Sequence, residues 1–238
     1  MQKYIPNILT SLNLLLGWTS VYFAFQGNIH IAIISILLAS FFDYLDGFAA
    51  RKLNAQSELG AQLDSFADLI TFGIAPAIII YNVTSISMTF KDNIYDVLLF
   101  VILGLVPLFG AIRLAKFNTI KEKSIVFIGL PIPAFALITI SLTWIYVNYN
   151  FIISKIPNHE ICLISLVIFF SSLMVSNLIF LSLKFNDYNF KNNKFVFIWI
   201  ILSIISLFIL IIYGNIILFI PIVLFLYLLF SIINNFVR

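Results

Sequence analysis

Residues 43–68 have the sequence DYLDGFAARKLNAQSELGAQLDSFAD, and this stretch decides how the rest of the chain is interpreted. It contains five of the ten acidic residues, and four of them are aspartates in two pairs: Asp43 with Asp46, and Asp64 with Asp68. Spacings of three and four residues place each pair on one face of a helix. Both pairs lie at the ends of apolar segments, where an unpaired carboxylate is costly. We therefore predict an oxygen-rich site of the kind that hard divalent cations such as Mg²⁺ prefer, rather than ordinary solvated acids at two helix ends.

The composition is that of a membrane protein. Of the 238 residues, 62% are hydrophobic and only 10% are charged, and the mean hydropathy is +1.12. These values lie far outside the range of soluble proteins and predict an all-α, polytopic bundle of transmembrane helices. The single cysteine, Cys162, excludes an internal disulfide.

Hydrophobic segments predict how the chain crosses the membrane. Because a span needs roughly 20 mostly apolar residues, we predict eight transmembrane helices. Their expected ranges are about 8–26, 29–50, 61–81, 95–116, 128–149, 161–183, 195–213 and 216–236.

We expect two parts in this bundle. Residues 1–190 would form a catalytic membrane domain with a core of six helices, and residues 191–238 a two-helix transmembrane hairpin. The hairpin has almost no polar side chains, which favours a role as scaffold or as the surface of a homodimer.

Basic residues predict the orientation of the spans, because Lys and Arg concentrate on the cytoplasmic side. With the N-terminus inside, eleven of the thirteen lie on the inner side, and Lys91 and Lys155 lie outside. We therefore expect a multi-pass protein of the cell membrane with both termini in the cytoplasm. The acidic stretch would then lie at the cytoplasmic face.

The same stretch resembles the signature of the CDP-alcohol phosphatidyltransferase family, D-x-x-D-G-x-x-A-R followed by G-x-x-x-D-x-x-x-D. The matching positions are Asp43, Asp46, Gly47, Ala50, Arg51, Gly60, Asp64 and Asp68. Eight fixed residues within one short stretch are far more specific than a lone short motif. The resemblance implies two divalent cations, Mg²⁺ or Mn²⁺, bound by the four aspartates, with Asp68 also serving as the catalytic proton acceptor.

The resemblance also implies a binding site for CDP-diacylglycerol. The residues that we assign to it are Asn7, Thr10, Gly47, Ala50, Arg51, Ser57 and Gly60. Without the motif, the small residues would indicate helix packing and Arg51 a cytoplasmic anchor. Asn7, Thr10 and Asn13 share one face of the first helix, where they could line the nucleotide pocket or bond to neighbouring helices.

The acceptor alcohol is less directly indicated. Three segments look like those of bacterial phosphatidylserine synthases: DSFADLITFGIAPA at 64–77, RLAKFN at 113–118 and GLPIPA at 129–134. With the signature, this resemblance covers about residues 5–135, and it implies that L-serine is the acceptor.

A serine carboxylate requires a fixed cation in the acceptor site. Arg113 can hold a carboxylate with two hydrogen bonds, and we assign Lys116 and Asn118 to the same site. Alternatively, Arg113 and Lys116 extend towards anionic lipid headgroups. We expect Pro131 and Pro133 to break the start of the fifth span and free carbonyls for the serine ammonium group.

Together these observations predict an enzyme that transfers the phosphatidyl group from CDP-diacylglycerol to L-serine, giving phosphatidylserine and CMP. Two alternatives remain open at this point. One is the same fold with another acceptor, such as glycerol 3-phosphate or an inositol phosphate. The other is a cation transporter, which does not explain the fixed spacing of Gly47, Ala50 and Arg51.

Overall fold

A computed structural model describes residues 4–88, 93–119, 127–180, 194–215 and 218–237. In this part of the chain, five helices are long and apolar enough to cross a membrane, and three shorter apolar helices accompany them. The five are Ile5–Phe25, Ile29–Lys52, Glu58–Ser85, Ile94–Thr119 and Lys194–Ile212, and the shorter three are Ile132–Asn148, His159–Leu173 and Phe219–Asn234. The structure thus confirms an all-α, polytopic membrane bundle, with a helix at each predicted span.

The elements follow one another along the chain with short connections. In order they are α1 Ile5–Phe25, α2 Ile29–Lys52, α3 Glu58–Asp68, a π-helical segment Leu69–Ile74, α4 Ala75–Met88, α5 Asn93–Leu103, α6 Leu105–Thr119, β1 Phe127–Ile128, α7 Ile132–Asn148, α8 Asn150–Ile153, α9 His159–Leu173, β2 Ile179–Phe180, α10 Lys194–Ile212 and α11 Phe219–Val237.

Local sequence explains where the first helices begin and end. Pro6 lies in the first turn of α1, where its missing N–H costs nothing. Gly27 has a φ of 74°, a left-handed conformation that glycine adopts without strain, and it separates α1 from α2. Seven residues on one face of α1 are buried, and most of them are small or polar: Pro6, Thr10, Asn13, Gly17, Ser20, Val21 and Ala24.

The third span lies at the centre of the bundle. In the most apolar stretch of this span 61% of the residues are buried. In the corresponding stretch of α10, which faces outward, 17% are buried. The π-helical segment packs against α1, α6 and α7. Gly17 allows the close approach of α1, because a methyl group there would lie 2.8 Å from the Cα of Thr71. Gly110 likewise lets α6 approach Ile132, so the helices that surround the third span are held at short range.

The sixth predicted span, 161–183, is too long. Helix α9 ends at Leu173, and Ile179–Phe180 pairs antiparallel with Phe127–Ile128. The Leu130 N–H donates to the carbonyl of Leu173 at the end of α9, and Ser176 donates to the same carbonyl. Backbone pairing with a distant segment therefore replaces the last turns of the expected helix.

The structure places Pro131 and Pro133 at the start of α7, and the expectation that they free carbonyls for the serine ammonium group stays a prediction. Helix α7 begins at Ile132, with Pro131 as its N-cap and Pro133 in its first turn. The carbonyl of Pro131 accepts a hydrogen bond of 2.9 Å from the N–H of Phe135. These prolines start the helix, since a first-turn proline has no hydrogen bond to lose.

The C-terminal hairpin is attached to the rest of the bundle. Helices α10 and α11 pack together, and the indole N–H of Trp199 donates to the carbonyl of Val223 at 3.0 Å. Helix α11 also packs against α7 and against β2. The division into a domain at 1–190 and a hairpin at 191–238 stays a prediction.

Candidate active site

The turn between α2 and α3 brings the two acidic pairs together. Asn54 takes up a left-handed conformation with a φ of 49°, which asparagine tolerates better than most residues. Helix α3 then begins at Glu58, and the Ser57 hydroxyl caps it by accepting a 3.0 Å hydrogen bond from the N–H of Gly60. Both helices pack against α1, with the first acidic pair near the end of α2 and the second on α3.

Three of the four aspartates form one cluster. Carboxylate oxygens of Asp43, Asp64 and Asp68 all lie within 4.8 Å of one another. Asp68 is 9% exposed, and one oxygen each of Asp64 and Asp68 is buried without a hydrogen-bond partner. Among the described residues, no basic side chain forms a salt bridge with any of the three.

This cluster has the donor set that a hard cation requires. Three adjacent carboxylates repel one another. For two charges about 4 Å apart the repulsion is roughly 1 kcal/mol in water and roughly 4 kcal/mol near a protein surface. Mg²⁺ and Mn²⁺ bind carboxylate oxygens in preference to softer ligands. The unpaired oxygens of Asp64 and Asp68 are therefore suited to a divalent cation.

Asp46 has a different environment from the other three. It is 6% exposed, and its Oδ2 accepts a 2.6 Å hydrogen bond from the hydroxyl of Thr10 on α1. Its charge still interacts with those of Asp43 and Asp64. Asp46 thus lies beside the cluster and connects it to the polar face of α1.

The residues assigned to CDP-diacylglycerol surround this end of α1, α2 and α3. A methyl group at Gly60 would lie 3.0 Å from Asn7 Oδ1, so glycine here lets α3 approach α1. The Arg51 guanidinium extends back over Gly47, where a methyl group would lie 3.5 Å from Arg51 Nη1. Ala50 is half-buried on the same helix end. The structure thus places these side chains near the acidic cluster, and their contacts with a substrate stay predictions.

The residues assigned to the acceptor lie on α6. Arg113 is partly buried, and its charge interacts with Asp68. The Arg113 Nε is buried and has no partner among the described residues. Lys116 and Asn118 are exposed, and the Asn118 amide donates a 2.9 Å hydrogen bond to the hydroxyl of Ser65 on α3.

Two features of the site were missed by the sequence analysis. The π-helical segment follows Asp68 directly, and such distortions are frequent at functional sites. Tyr227 of the C-terminal hairpin is 7% exposed and interacts electrostatically with Arg113. Hydropathy gives no signal for either feature, because both depend on contacts between segments far apart in sequence.

Comparison with known proteins gives a consistent match. The family model of CDP-alcohol phosphatidyltransferase matches residues 3–170. A Bacillus subtilis protein named CDP-diacylglycerol–serine O-phosphatidyltransferase is 40% identical over 144 residues, covering 60% of this chain and 77% of that protein. A Helicobacter pylori protein of the same name is 34% identical over 207 residues, covering 84% of this chain and 80% of that protein.

An archaeal relative has a related name. The archaetidylserine synthase of Methanothermobacter thermautotrophicus is 36% identical over 140 residues, covering 58% of this chain and 56% of that protein. The family match extends past residue 135, where the sequence resemblance was expected to end, and into α9.

Removal of one carboxylate from the cluster should change stability in opposite directions with and without a cation. We expect Asp64→Asn to raise the unfolding temperature in excess chelator, because it relieves repulsion within the cluster. The same change should reduce the stabilisation produced by Mn²⁺, because it removes a charged ligand. Thermal unfolding of the purified protein in detergent measures both effects.

Glu58→Gln is the matched control for this prediction. Glu58 is an exposed acid on the same helix but outside the cluster, so its substitution should leave the response to Mn²⁺ unchanged. An Asp64→Asn variant that gains as much from Mn²⁺ as the wild type would contradict a metal site built on this cluster.

Proposed function

The chain belongs to the CDP-alcohol phosphatidyltransferase family, and from that premise we propose that it transfers the phosphatidyl group from CDP-diacylglycerol to the hydroxyl of L-serine. The products are phosphatidylserine and CMP. The observation that carries the reaction class is the convergence of Asp43, Asp64 and Asp68 within the family signature. The choice of serine is supported by relatives named for serine and by the partly buried Arg113, whose charge interacts with Asp68.

The four aspartates fit the cofactor that the family implies. Two divalent cations, Mg²⁺ or Mn²⁺, bound by Asp43, Asp46, Asp64 and Asp68 would neutralise charge on the pyrophosphate and on the leaving CMP. The fit rests on the unpaired oxygens of the cluster and on the absence of a salt bridge to it in the described part of the chain.

The protein's own residues then position the nucleotide lipid. Arg51 lies at the exposed end of α2, where its guanidinium can bind phosphate oxygens. Asn7, Thr10, Ser57 and Gly60 lie on the adjoining ends of α1 and α3, and we assign the nucleotide to this surface. Gly47 and Ala50 leave the space that a close approach to the α2 backbone requires.

The acceptor is activated on the opposite side of the cluster. Asp68 takes the proton from the serine hydroxyl, and the hydroxyl oxygen attacks the phosphorus that carries diacylglycerol. The bond from that phosphorus to the CMP oxygen breaks, and CMP leaves. Arg113 holds the serine carboxylate through its guanidinium, while Lys116 and Asn118 line the entrance. Positioning and charge neutralisation supply most of the rate enhancement, as in other phosphoryl transfers.

We further propose that the protein lies in the cell membrane with its active site and both termini at the cytoplasmic face. Support comes from the distribution of the basic residues along the sequence, with eleven of the thirteen on the inner side. Seven of the thirteen lie outside the described ranges: Lys3, Lys91, Lys121, Lys123, Lys184, Lys191 and Arg238. The homodimer stays a prediction, since the apolar surface of α10 is equally suited to lipid.

Loss of the proton acceptor should separate binding from turnover. We expect Asp68→Asn to keep the affinity for CDP-diacylglycerol, because three carboxylates and Arg51 remain, and to lower kcat by about 10² to 10⁴. Release of CMP from CDP-diacylglycerol, L-serine and Mn²⁺ is the assay. Asp96→Asn, which changes an acid bonded to Tyr81 far along the chain, should leave kcat nearly unchanged. Turnover by Asp68→Asn at the wild-type rate would exclude Asp68 as the base.

Substitution of the acceptor-site arginine should affect serine selectively. Arg113→Lys keeps the charge but loses the two-pronged hydrogen bonding, so we expect it to raise KM for serine much more than KM for CDP-diacylglycerol. Ethanolamine, which lacks the carboxylate, should be a poor acceptor for the wild type and should be affected much less by the substitution. Equal use of serine and ethanolamine by the wild type would disprove the serine assignment and leave the family assignment intact.

The proposed orientation can be tested with single cysteines. In a Cys162→Ser background, we expect Gln2→Cys and Val237→Cys to be inaccessible to a membrane-impermeant thiol reagent in intact cells. Lys155→Cys, on the exposed connection after α8, should be labelled under the same conditions. External labelling of either terminus would contradict the eight-span arrangement.

A further inference from the structure

Asn13 is the most deeply buried polar group of α1 that has no explanation in the fold. Its side chain is 0% exposed, and neither Oδ1 nor Nδ2 has a hydrogen-bond partner among the described residues. Buried polar groups in proteins are almost always paired, because an unpaired one forfeits its hydration. An amide left open in this way is best explained by a partner that arrives from outside the chain.

The position of Asn13 relates it to the catalytic aspartate. The backbone carbonyl oxygen of Asn13 accepts a 3.1 Å hydrogen bond from the hydroxyl of Thr71, which lies within one turn after Asp68. One turn earlier on α1, Thr10 bonds to Asp46. Asn13 is therefore one turn farther along α1 than Thr10, next to the π-helical segment that follows Asp68.

Two helices approach that segment. Both α1 and α6 pack against the π-helical segment that follows Asp68, and Arg113 on α6 interacts with Asp68. The helices that pack on the segment after Asp68 thus carry a guanidinium on α6 and an open carboxamide on α1. The residues assigned to the nucleotide lie nearer to the exposed ends of α1, α2 and α3.

These groups are complementary to an α-amino acid that carries a hydroxyl. Resting on the proposed function, we propose that Asn13 is a serine-binding residue whose Oδ1 accepts a hydrogen bond from the serine ammonium group. Asp68 then receives the hydroxyl and Arg113 the carboxylate, so each polar group of serine has one partner. A neutral amide is suited to this position, since a fifth carboxylate would add repulsion to a crowded acidic site.

The substitution Asn13→Leu tests this assignment, because leucine has a similar size and no polar atoms. We expect it to raise KM for L-serine by about 10- to 100-fold, the loss typical of a hydrogen bond to a charged group. KM for CDP-diacylglycerol should stay nearly unchanged. Inhibition by 3-hydroxypropionate, which is serine without its amino group, should also stay nearly unchanged. Measurement of CMP release at varied concentrations of each compound gives all three values.

Stability distinguishes a ligand-binding amide from a structural one. Without substrates, Asn13→Leu should unfold at the same or a higher temperature than the wild type, because it removes an unpaired buried group. The matched control is Ser20→Ala on the same helix, whose buried hydroxyl donates to the carbonyl of Ala32 at 2.9 Å. That variant should unfold at a lower temperature and keep its KM for serine.

Three results would overturn the proposal. The first is a rise in KM for CDP-diacylglycerol while KM for serine stays unchanged. That result would assign Asn13 to the nucleotide site. The second is an equal loss of affinity for serine and 3-hydroxypropionate. The third is a lower unfolding temperature with KM for serine intact. A wild-type protein that releases no CMP with serine would instead disprove the proposed function itself.

Discussion

The structure must hold together carboxylates that repel one another at the end of an apolar bundle. Asp43, Asp64 and Asp68 lie within 4.8 Å of one another, and no salt bridge to a described basic residue offsets their charge. Such a cluster persists only where the surrounding helices hold it in place. The close contact of Gly60 with Asn7 fixes α1 against α3, and that of Gly17 with Thr71 fixes α1 against the π-helical segment. Packing of small residues thus supplies the rigidity, and the acids supply the affinity for cations.

Much of this arrangement was predictable because hydropathy and short-range spacing determine it. All eight expected spans contain a helix, since about 20 apolar residues leave the backbone no other way to satisfy its hydrogen bonds in lipid. The turn between α2 and α3 was also predictable, since two acidic pairs at helical spacing flank a short polar segment. The end of α9 was not, because the sequence at 174–183 is as apolar as a helix, and the pairing of Ile179–Phe180 with Phe127–Ile128 joins segments about fifty residues apart.

The details of the site required the structure. The polar face of α1 was visible in the spacing of Asn7, Thr10 and Asn13, but their different environments were not. Thr10 is bonded to Asp46, whereas Asn13 has no partner for its amide in the described part of the chain. The approach of Tyr227 to Arg113 joins residues more than a hundred positions apart. This interaction relates the hairpin, which was expected to serve as scaffold or as the surface of a homodimer, to the arginine of the proposed acceptor site.

The backbone bonds at Gly129 and Leu130 have a consequence for the order of the chain. They join residues 129–130 to residues 173 and 178, so the two ends of the segment that contains α7, α8 and α9 lie close together. The segment is therefore closed at a neck that these two backbone hydrogen bonds form. Phe180 stacks on Tyr227 at a ring separation of 6.4 Å just past this neck. The two spans between α6 and the hairpin thus begin and end at one place, and the last helix of the chain packs against that place through β2.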